Sequence, residues 1–186
     1  MESQKMKRKS FLLHLIKEMQ KAGSWTGETH IQKSIYFLQN LLDIPLEYEY
    51  TFYKHGPYSF ELREELNELR AEKFLRIIPR EPYGVSYETG DYVDVLKKKY
   101  NKLLEKFSSG IDFVTNEIST KTVKDLERLS TALYVYKEEN IEELNRMVEK
   151  IRELKPHLTV DEAKLAAEEM RKMVGTGFPD EFRQFE

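Results

Sequence analysis

The residues with the strongest potential for chemistry or recognition stand together at positions 53–59, which read Tyr-Lys-His-Gly-Pro-Tyr-Ser. A predicted strand ends here and a helix follows, so Tyr53, His55 and Tyr58 fall in a connecting loop, where recognition residues are concentrated. The segment also has a purely structural interpretation, because glycine permits a tight bend and proline suits the first turn of a helix. Both interpretations fit the sequence, and the functional one makes Tyr53, His55 and Tyr58 candidate contacts to a partner protein.

The remaining chemistry of the chain does not indicate an active site. No two of the four histidines stand at a metal-ligand spacing on one helix. The absence of cysteine excludes disulfides, zinc-thiolate sites, thiol nucleophiles and iron–sulfur clusters. The eight glycines form no phosphate-binding loop and no dinucleotide fingerprint. We therefore predict no catalytic residue, no metal, no cofactor and no enzymatic activity, with an enzyme built around His55 as the remaining catalytic hypothesis.

Composition defines the class of protein. The chain has 186 residues, and its 30 Lys and Arg against 33 Asp and Glu give a net charge of −3. This balance lacks the basic excess that would by itself indicate nucleic-acid binding. With 40% hydrophobic and 34% charged residues, the sequence predicts a globular protein. It contains no apolar stretch near the roughly 20 residues of a membrane span, and its polar, basic start is not a signal peptide, so we predict a cytoplasmic location and no membrane partner.

Hydrophobic periodicity positions the elements of the first half. We predict helices over residues 10–23 and 29–44, a strand over 46–53, a third helix from 57 to 74 and a hairpin of strands 75–79 and 85–89. Ser10 is the predicted cap of the first helix, and Pro57 is predicted to stand in the first turn of the third helix. Three helices followed by a hairpin is the order of a winged-helix module.

The second half is predicted to be helical throughout. Apolar residues in alternating steps of three and four predict one long helix over 91–107, with a seam of about two heptads. This seam either packs on its own chain or makes a homodimer. Further helices are predicted after residue 109 and over residues 122–137, 140–154 and 159–174. The last of these begins with a capping box of Thr159 and Glu162.

These elements predict a fold that is mostly α with a small β component. A winged-helix-like module occupies residues 9–90, and a helical region packed on it occupies residues 91–174. Residues 175–186 form an irregular tail.

The charge of the third helix separates two hypotheses for its partner. Three basic residues minus five glutamates give this helix a charge of −2, which DNA would repel. The leading hypothesis is therefore a non-enzymatic protein-binding module that uses the 53–59 loop together with Glu61 and Glu65. The alternative is a DNA-binding regulator that uses basic residues of the wing and of the long helix: Arg76, Arg80, Lys97, Lys98 and Lys99.

Two pairs of segments resemble a known family. The helical segment 31–39 (Ile-Gln-Lys-Ser-Ile-Tyr-Phe-Leu-Gln) and the 53–59 loop resemble the YwgA-like family of uncharacterised prokaryotic proteins. Segments 125–129 (Asp-Leu-Glu-Arg-Leu) and 154–159 (Leu-Lys-Pro-His-Leu-Thr) look like the downstream helices of that family. The resemblance extends over about residues 10–172, and it includes a distant similarity to the Panacea domain of SocA-type antitoxins. It implies a winged-helix-like part followed by a helical part, and an antitoxin-like role in protein binding, such as neutralising a toxin or presenting it to a protease.

Overall fold

Helices form most of the protein, and two short hairpins interrupt them in the first half. The computed structural model describes residues 2–82, 84–90 and 93–175. The elements of the first half are α1 (Glu2–Lys21), α2 (Glu28–Asn40), β1 (Thr51–Tyr53), β2 (Gly56–Tyr58), α3 (Phe60–Ala71), β3 (Leu75–Pro79) and β4 (Val85–Thr89). Those of the second half are α4 (Val93–Lys99), α5 (Asn101–Lys106), α6 (Ser108–Phe113), a π-helical turn (Val114–Ile118), α7 (Val123–Lys137), α8 (Leu144–Leu154) and α9 (Val160–Gly175). The predicted class, mostly α with a small β component, is confirmed.

Helix α2 lies at the centre of the protein. Every residue from 30 to 38 is buried, because α7, β2, β4 and the π-helical turn all pack on this helix. Its apolar side chains join one core cluster that extends from α1 to α9. Burial on every face also takes Gln32, Lys33 and Ser34 out of water, and buried polar groups need hydrogen-bond partners.

Each hairpin forms a separate two-stranded antiparallel sheet. In the first, Thr51 of β1 pairs with Tyr58 of β2. In the second, Leu75 of β3 pairs with Thr89 of β4, at the predicted positions of both strands. The two sheets are not joined by strand pairing.

The predicted strand over 46–53 is wrong in its first part. Only residues 51–53 belong to a strand, although residues 44–49 alternate between buried and exposed. In place of a neighbouring strand, the side chain of Gln39 bonds the backbone of Tyr48, with its Nε2 donating to the carbonyl and its Oε1 accepting from the N–H, both at 2.9 Å. The period-two pattern therefore reflects the alternating burial of an extended segment that is not part of a sheet.

Three helices begin elsewhere than predicted. Helix α1 already contains Ser10, which is buried inside it and is not its cap. Helix α3 begins at Phe60, because Ser59 is the N-cap and its side chain accepts a hydrogen bond from Leu62 N. Pro57 belongs instead to β2, where it pairs with Phe52 of β1. Helix α8 begins at Leu144, and Glu143 caps it. The start of α7 after Thr122 and that of α9 with the capping box of residues 159 and 162 are confirmed.

The predicted long helix over 91–107 is divided. Tyr100 and Phe107 leave helical geometry, with φ near −109° and ψ of 20° and 10° respectively. The pieces α4, α5 and α6 each contact α1, and the ring of Phe107 meets that of Phe11 edge-on at 5.9 Å. The apolar residues that suggested a dimer seam therefore pack on the same chain.

Parts of two predictions fall outside the described residues. These are the start of the long helix at residues 91 and 92 and the tail beyond residue 175. No described helix combines the length and the apolar character that a bilayer crossing requires.

A network of ion pairs joins the start of α1 to the acidic face of α3. Arg8 contacts Glu61 at 2.5 Å and the buried Glu65 at 2.8 Å, and its guanidinium lies 4.4 Å from the centre of the Tyr48 ring. Lys5 and Lys9 extend the network to Glu68 and Glu72. Burial raises the pKa of Glu65, and Arg8 opposes that shift. Three cations of α1 therefore balance most of the charge of four carboxylates on α3.

We expect the buried part of this network to matter more for stability than the exposed part. Replacing Arg8 with Met leaves the Glu65 carboxylate, 2% exposed, without its cation. Removal of one partner from a buried pair costs about 3 kcal/mol or more of unfolding free energy. Lys5→Met removes an exposed pair and should cost about 1 kcal/mol or less. Urea unfolding at pH 7 measures both, and equal losses would contradict this assignment.

Candidate binding pocket beside the first hairpin

Two side chains of α2 fix the first hairpin and the turn that follows it. Gln32 accepts from Ser59 N at 3.0 Å and donates to Ser59 O at 2.8 Å. Lys33 donates from Nζ to the carbonyl of Pro57 at 2.7 Å. These contacts join the two sequence segments, 31–39 and 53–59, into one structural unit.

A second buried lysine holds the other end of the hairpin. Lys155 is 3% exposed, and its Nζ donates to Lys54 O at 2.7 Å and to Glu127 Oε1 at 2.6 Å. The other oxygen of Glu127, Oε2, lies 3.4 Å from Nδ1 of His55, and Nε2 of His157 lies 4.0 Å from Oε1. Burial alone would raise the pKa of Glu127, but the hydrogen bond from Lys155 and the nearby His55 hold it below its usual range. The carboxylate of Glu127 thus interacts with Lys155 and with two histidines.

Gly56 allows the hairpin to lie this close to the helices. Its φ of +88° is a left-handed conformation that residues with a side chain rarely adopt. A Cβ at this position would lie 3.3 Å from Ser130 Oγ, 3.4 Å from Thr131 Oγ1 and 3.5 Å from Lys33 Nζ. The backbone conformation therefore requires glycine here, and the space for a side chain is narrow.

The amine of Lys33 has no counter-ion within ion-pair distance among the residues that the structure describes. The residue is 2% exposed, and within the described part of the chain no carboxylate oxygen lies within 4 Å of its Nζ. Burial, reinforced by the positive charge of Lys155, lowers the pKa of Lys33 to about 7, and the more distant Glu127 only partly opposes this shift. At neutral pH this amine is therefore poised between its charged and neutral forms.

A pocket of about 260 Å³ opens between α2, the first hairpin and α3. Lys33 is among the α2 residues that line it, together with Glu28 and Gln32. Lys54 and Arg63 add positive charge from the hairpin and from α3. Glu28 is the single acidic residue among the described residues of this lining. Its Oε1 accepts a hydrogen bond from the hydroxyl of Tyr58 at 2.5 Å.

Three aromatic rings, those of Tyr53, Tyr58 and Phe60, form a cluster beside the pocket and belong to its lining. Their ring centres are 5.1 to 5.8 Å apart. Tyr53 is 57% exposed and Phe60 is 52% exposed, so this aromatic cluster presents apolar surface to solvent.

The structure brings three of the predicted contact residues together and separates the other two from them. Tyr53, His55 and Tyr58 line the pocket. Glu61 bonds Arg8, and Glu65 is buried, with 3% exposure, so it cannot contact a partner in this structure.

Sequence reasoning missed several residues of the site. These are Glu28, Lys33, Phe60, Arg63, Glu127 and Lys155. For Lys33 a signal existed, because this lysine interrupts a helix whose apolar residues indicated burial on more than one side.

The basic residues of the alternative hypothesis lie outside the first hairpin, on β3, directly after β3 and on α4. Arg76 lies 4.0 Å from Glu88, and Arg80 donates to Ser86 Oγ at 3.2 Å. Lys97 lies 3.9 Å from Glu18, whereas Lys98 and Lys99 are exposed.

Comparison with known proteins adds no assignment to this geometry. No family model matches the chain, and no curated protein matches it. The resemblance to YwgA-like proteins therefore stays a sequence-based prediction.

The buried amine predicts a specific pH dependence of stability. The pKa of Lys33 is lower in the folded chain than the ordinary value of 10.5, so the unfolded chain binds more protons between these values. Wild-type stability should therefore rise relative to Lys33→Met as the pH increases from about 7 toward 10, by on the order of a few kcal/mol.

Urea unfolding of both proteins between pH 6.5 and 9.5 measures this difference. Lys102→Met, at an exposed position on α5, is the control and should follow the wild type. A constant difference between wild type and Lys33→Met across this range would contradict the assignment.

Proposed function

We propose that the protein is a non-enzymatic protein-binding module whose contact surface is the aromatic cluster and the pocket beside it. The observation that carries the proposal is the exposure of two mutually packed rings, Tyr53 and Phe60, at a pocket. Exposed aromatic side chains next to a concave site are typical of binding hot spots. Tyr58 is held by strand pairing and by Glu28, so this surface requires little ordering when a partner binds.

An enzyme built around His55 has less support. The nearest carboxylate, Glu127, already accepts a 2.6 Å hydrogen bond from Lys155. Its contact with His55 is weaker, at 3.4 Å, so Glu127 acts mainly as the counter-ion of the buried Lys155.

The proposed relationship to YwgA-like proteins and to the Panacea domain agrees with this role. The segments that carry the resemblance interact directly, since Gln32 and Lys33 bond Ser59 and Pro57. Helices α1 to α3 followed by the β3–β4 hairpin match the element order of a winged helix, with the β1–β2 hairpin inserted between α2 and α3. We therefore propose an antitoxin-like protein of winged-helix type, whose partner is another protein.

Substitution of the aromatic cluster tests the protein-binding role. Tyr53→Ser/Phe60→Ser removes the two exposed rings, and Val95→Ser/Leu165→Ser removes two apolar side chains of similar exposure elsewhere. Proteins that co-purify with the wild type from the native host are identified, and their affinity for each variant is then measured with purified components. We expect about 30-fold weaker binding for the aromatic variant, equivalent to about 2 kcal/mol, and little change for the control.

Equal loss in both variants, or full retention by the aromatic variant, would contradict this surface. Far-ultraviolet circular dichroism and melting temperature confirm that each variant is folded.

The DNA-binding alternative has less support because much of the basic charge is already paired. Arg8 and Lys9 contact glutamates of α3, and Lys97 contacts Glu18. We expect no binding of a labelled DNA duplex at 50 mM salt in fluorescence anisotropy. Binding that falls steeply with salt and is lost in Lys98→Glu/Lys99→Glu would instead support the regulator.

A further inference from the structure

We propose that the pocket beside the first hairpin binds a carboxylate, and that the partner inserts an acidic side chain into it. This inference rests on the proposed protein-binding function, and it specifies the chemistry of the segment that the pocket receives. The inference depends on the charge of the lining, on the donors that Lys33 has left, and on the size and rim of the pocket.

The lining of the pocket carries more positive than negative charge. Lys33, Lys54 and Arg63 are basic, and Glu28 is the acidic residue among the lining side chains. Glu28 accepts the short hydrogen bond from Tyr58 and also attracts Arg63, so it balances part of the charge of Arg63. Lys33 and Lys54 add charge that this carboxylate does not offset. An acidic group therefore complements the pocket better than a basic one.

Lys33 contributes an ammonium group with spare donors. An ammonium has three N–H bonds, and the hydrogen bond to Pro57 O occupies one of them. Among the described residues, the acidic group that interacts with it is Glu127, which is itself bonded to Lys155. A buried charge without a partner is costly, so a carboxylate that enters the pocket supplies a counter-ion that none of the described residues places within 4 Å of this amine.

The size and the rim of the pocket fit one side chain. Its volume of about 260 Å³ is below the range of about 300–1,000 Å³ found for drug-sized ligands. The aromatic cluster beside it offers apolar surface to the aliphatic stem of a glutamate and to neighbouring residues of the same segment. The pocket and the cluster thus form one surface, in which the buried Lys33 and the exposed Lys54 and Arg63 supply positive charge and the exposed rings supply apolar contacts.

Binding of a carboxylate should be coupled to proton uptake by Lys33. The charged and titratable groups around this amine are Lys155 and Glu127, together with the pocket residues Glu28, Lys54, His55 and Arg63. In the free protein, burial and Lys155 keep the pKa of Lys33 at about 7. A bound carboxylate favours the ammonium form, so the protein takes up a proton when binding occurs above pH 7.

Titration with matched small probes tests the inference without the partner. The probe is N-acetyl-glutamate N-methylamide, its control is the glutamine compound, and binding is followed by backbone amide chemical shifts. We expect the glutamate probe to shift residues of α2, the first hairpin and the start of α3. Because only the protonated fraction binds it, its affinity should fall about tenfold or more between pH 6.5 and 8.5. The glutamine probe should bind at least tenfold more weakly at pH 6.5.

Two variants assign the effect to the buried amine. Lys33→Met should abolish the pH dependence, whereas Lys54→Met, which removes a lysine of the same pocket, should retain it. If Lys33→Met does not fold, calorimetry of the wild type at pH 8 in two buffers of different ionisation enthalpy still detects the proton uptake.

The inference is overturned if the glutamine probe binds as well as the glutamate probe, or if affinity is independent of pH. Either outcome leaves the protein-binding proposal intact, because that proposal depends on loss of partner binding in the aromatic variant. Conversely, binding of the glutamate probe could depend on Lys33 while binding of the partner is unchanged in the aromatic variant. That result would support the carboxylate site and overturn the protein-binding surface.

Discussion

Two buried lysines hold the first hairpin, and the position of the candidate site depends on them. Lys33 and Lys155 donate to the carbonyls of Pro57 and Lys54, and Glu127 is the carboxylate that bonds Lys155. Removing an ammonium from water costs several kcal/mol unless hydrogen bonds and opposite charge compensate. Lys155 has both forms of compensation, whereas Lys33 has a backbone carbonyl and no carboxylate within bonding distance among the described residues. Of the two buried amines, that of Lys33 is therefore the one for which a ligand carboxylate would add compensation.

Ion pairs between α1 and α3 reduce the charge that this part of the surface can offer to a partner. The net charge of −3 conceals a local arrangement in which Lys5, Arg8 and Lys9 at the start of α1 pair with glutamates of α3. The third helix therefore presents less unpaired negative charge to a partner than its sequence suggests. The surface that stays distinctive is the aromatic cluster with its pocket, where exposed rings adjoin a mostly basic lining.

The elements with local signals could be predicted from the sequence. The β3–β4 hairpin and the starts of α7 and α9 follow from turn and capping residues that act over three or four positions. The division of the long helix could not be predicted, because it follows the packing of three short pieces against α1. The extended segment around Tyr48 has the alternation of a strand, but a side chain, that of Gln39 nine residues earlier, supplies the bonds that a neighbouring strand would. At the site, loop chemistry indicated Tyr53, His55 and Tyr58, but Lys33 was missed because a lysine on a helix usually faces solvent, and its acceptor lies 24 residues away.

The protonation of Lys33 is the most direct measure of whether this amine is buried without a counter-ion. In protein labelled with ¹³C at lysine Cε, the chemical shift of each Cε reports the ionisation of its own amine, and Lys33→Met assigns the resonance. We predict that Lys33 titrates with a midpoint near pH 7. A midpoint of about 10 or above, as for a lysine in water, would contradict the buried, uncompensated amine and with it the basis for a carboxylate in the pocket.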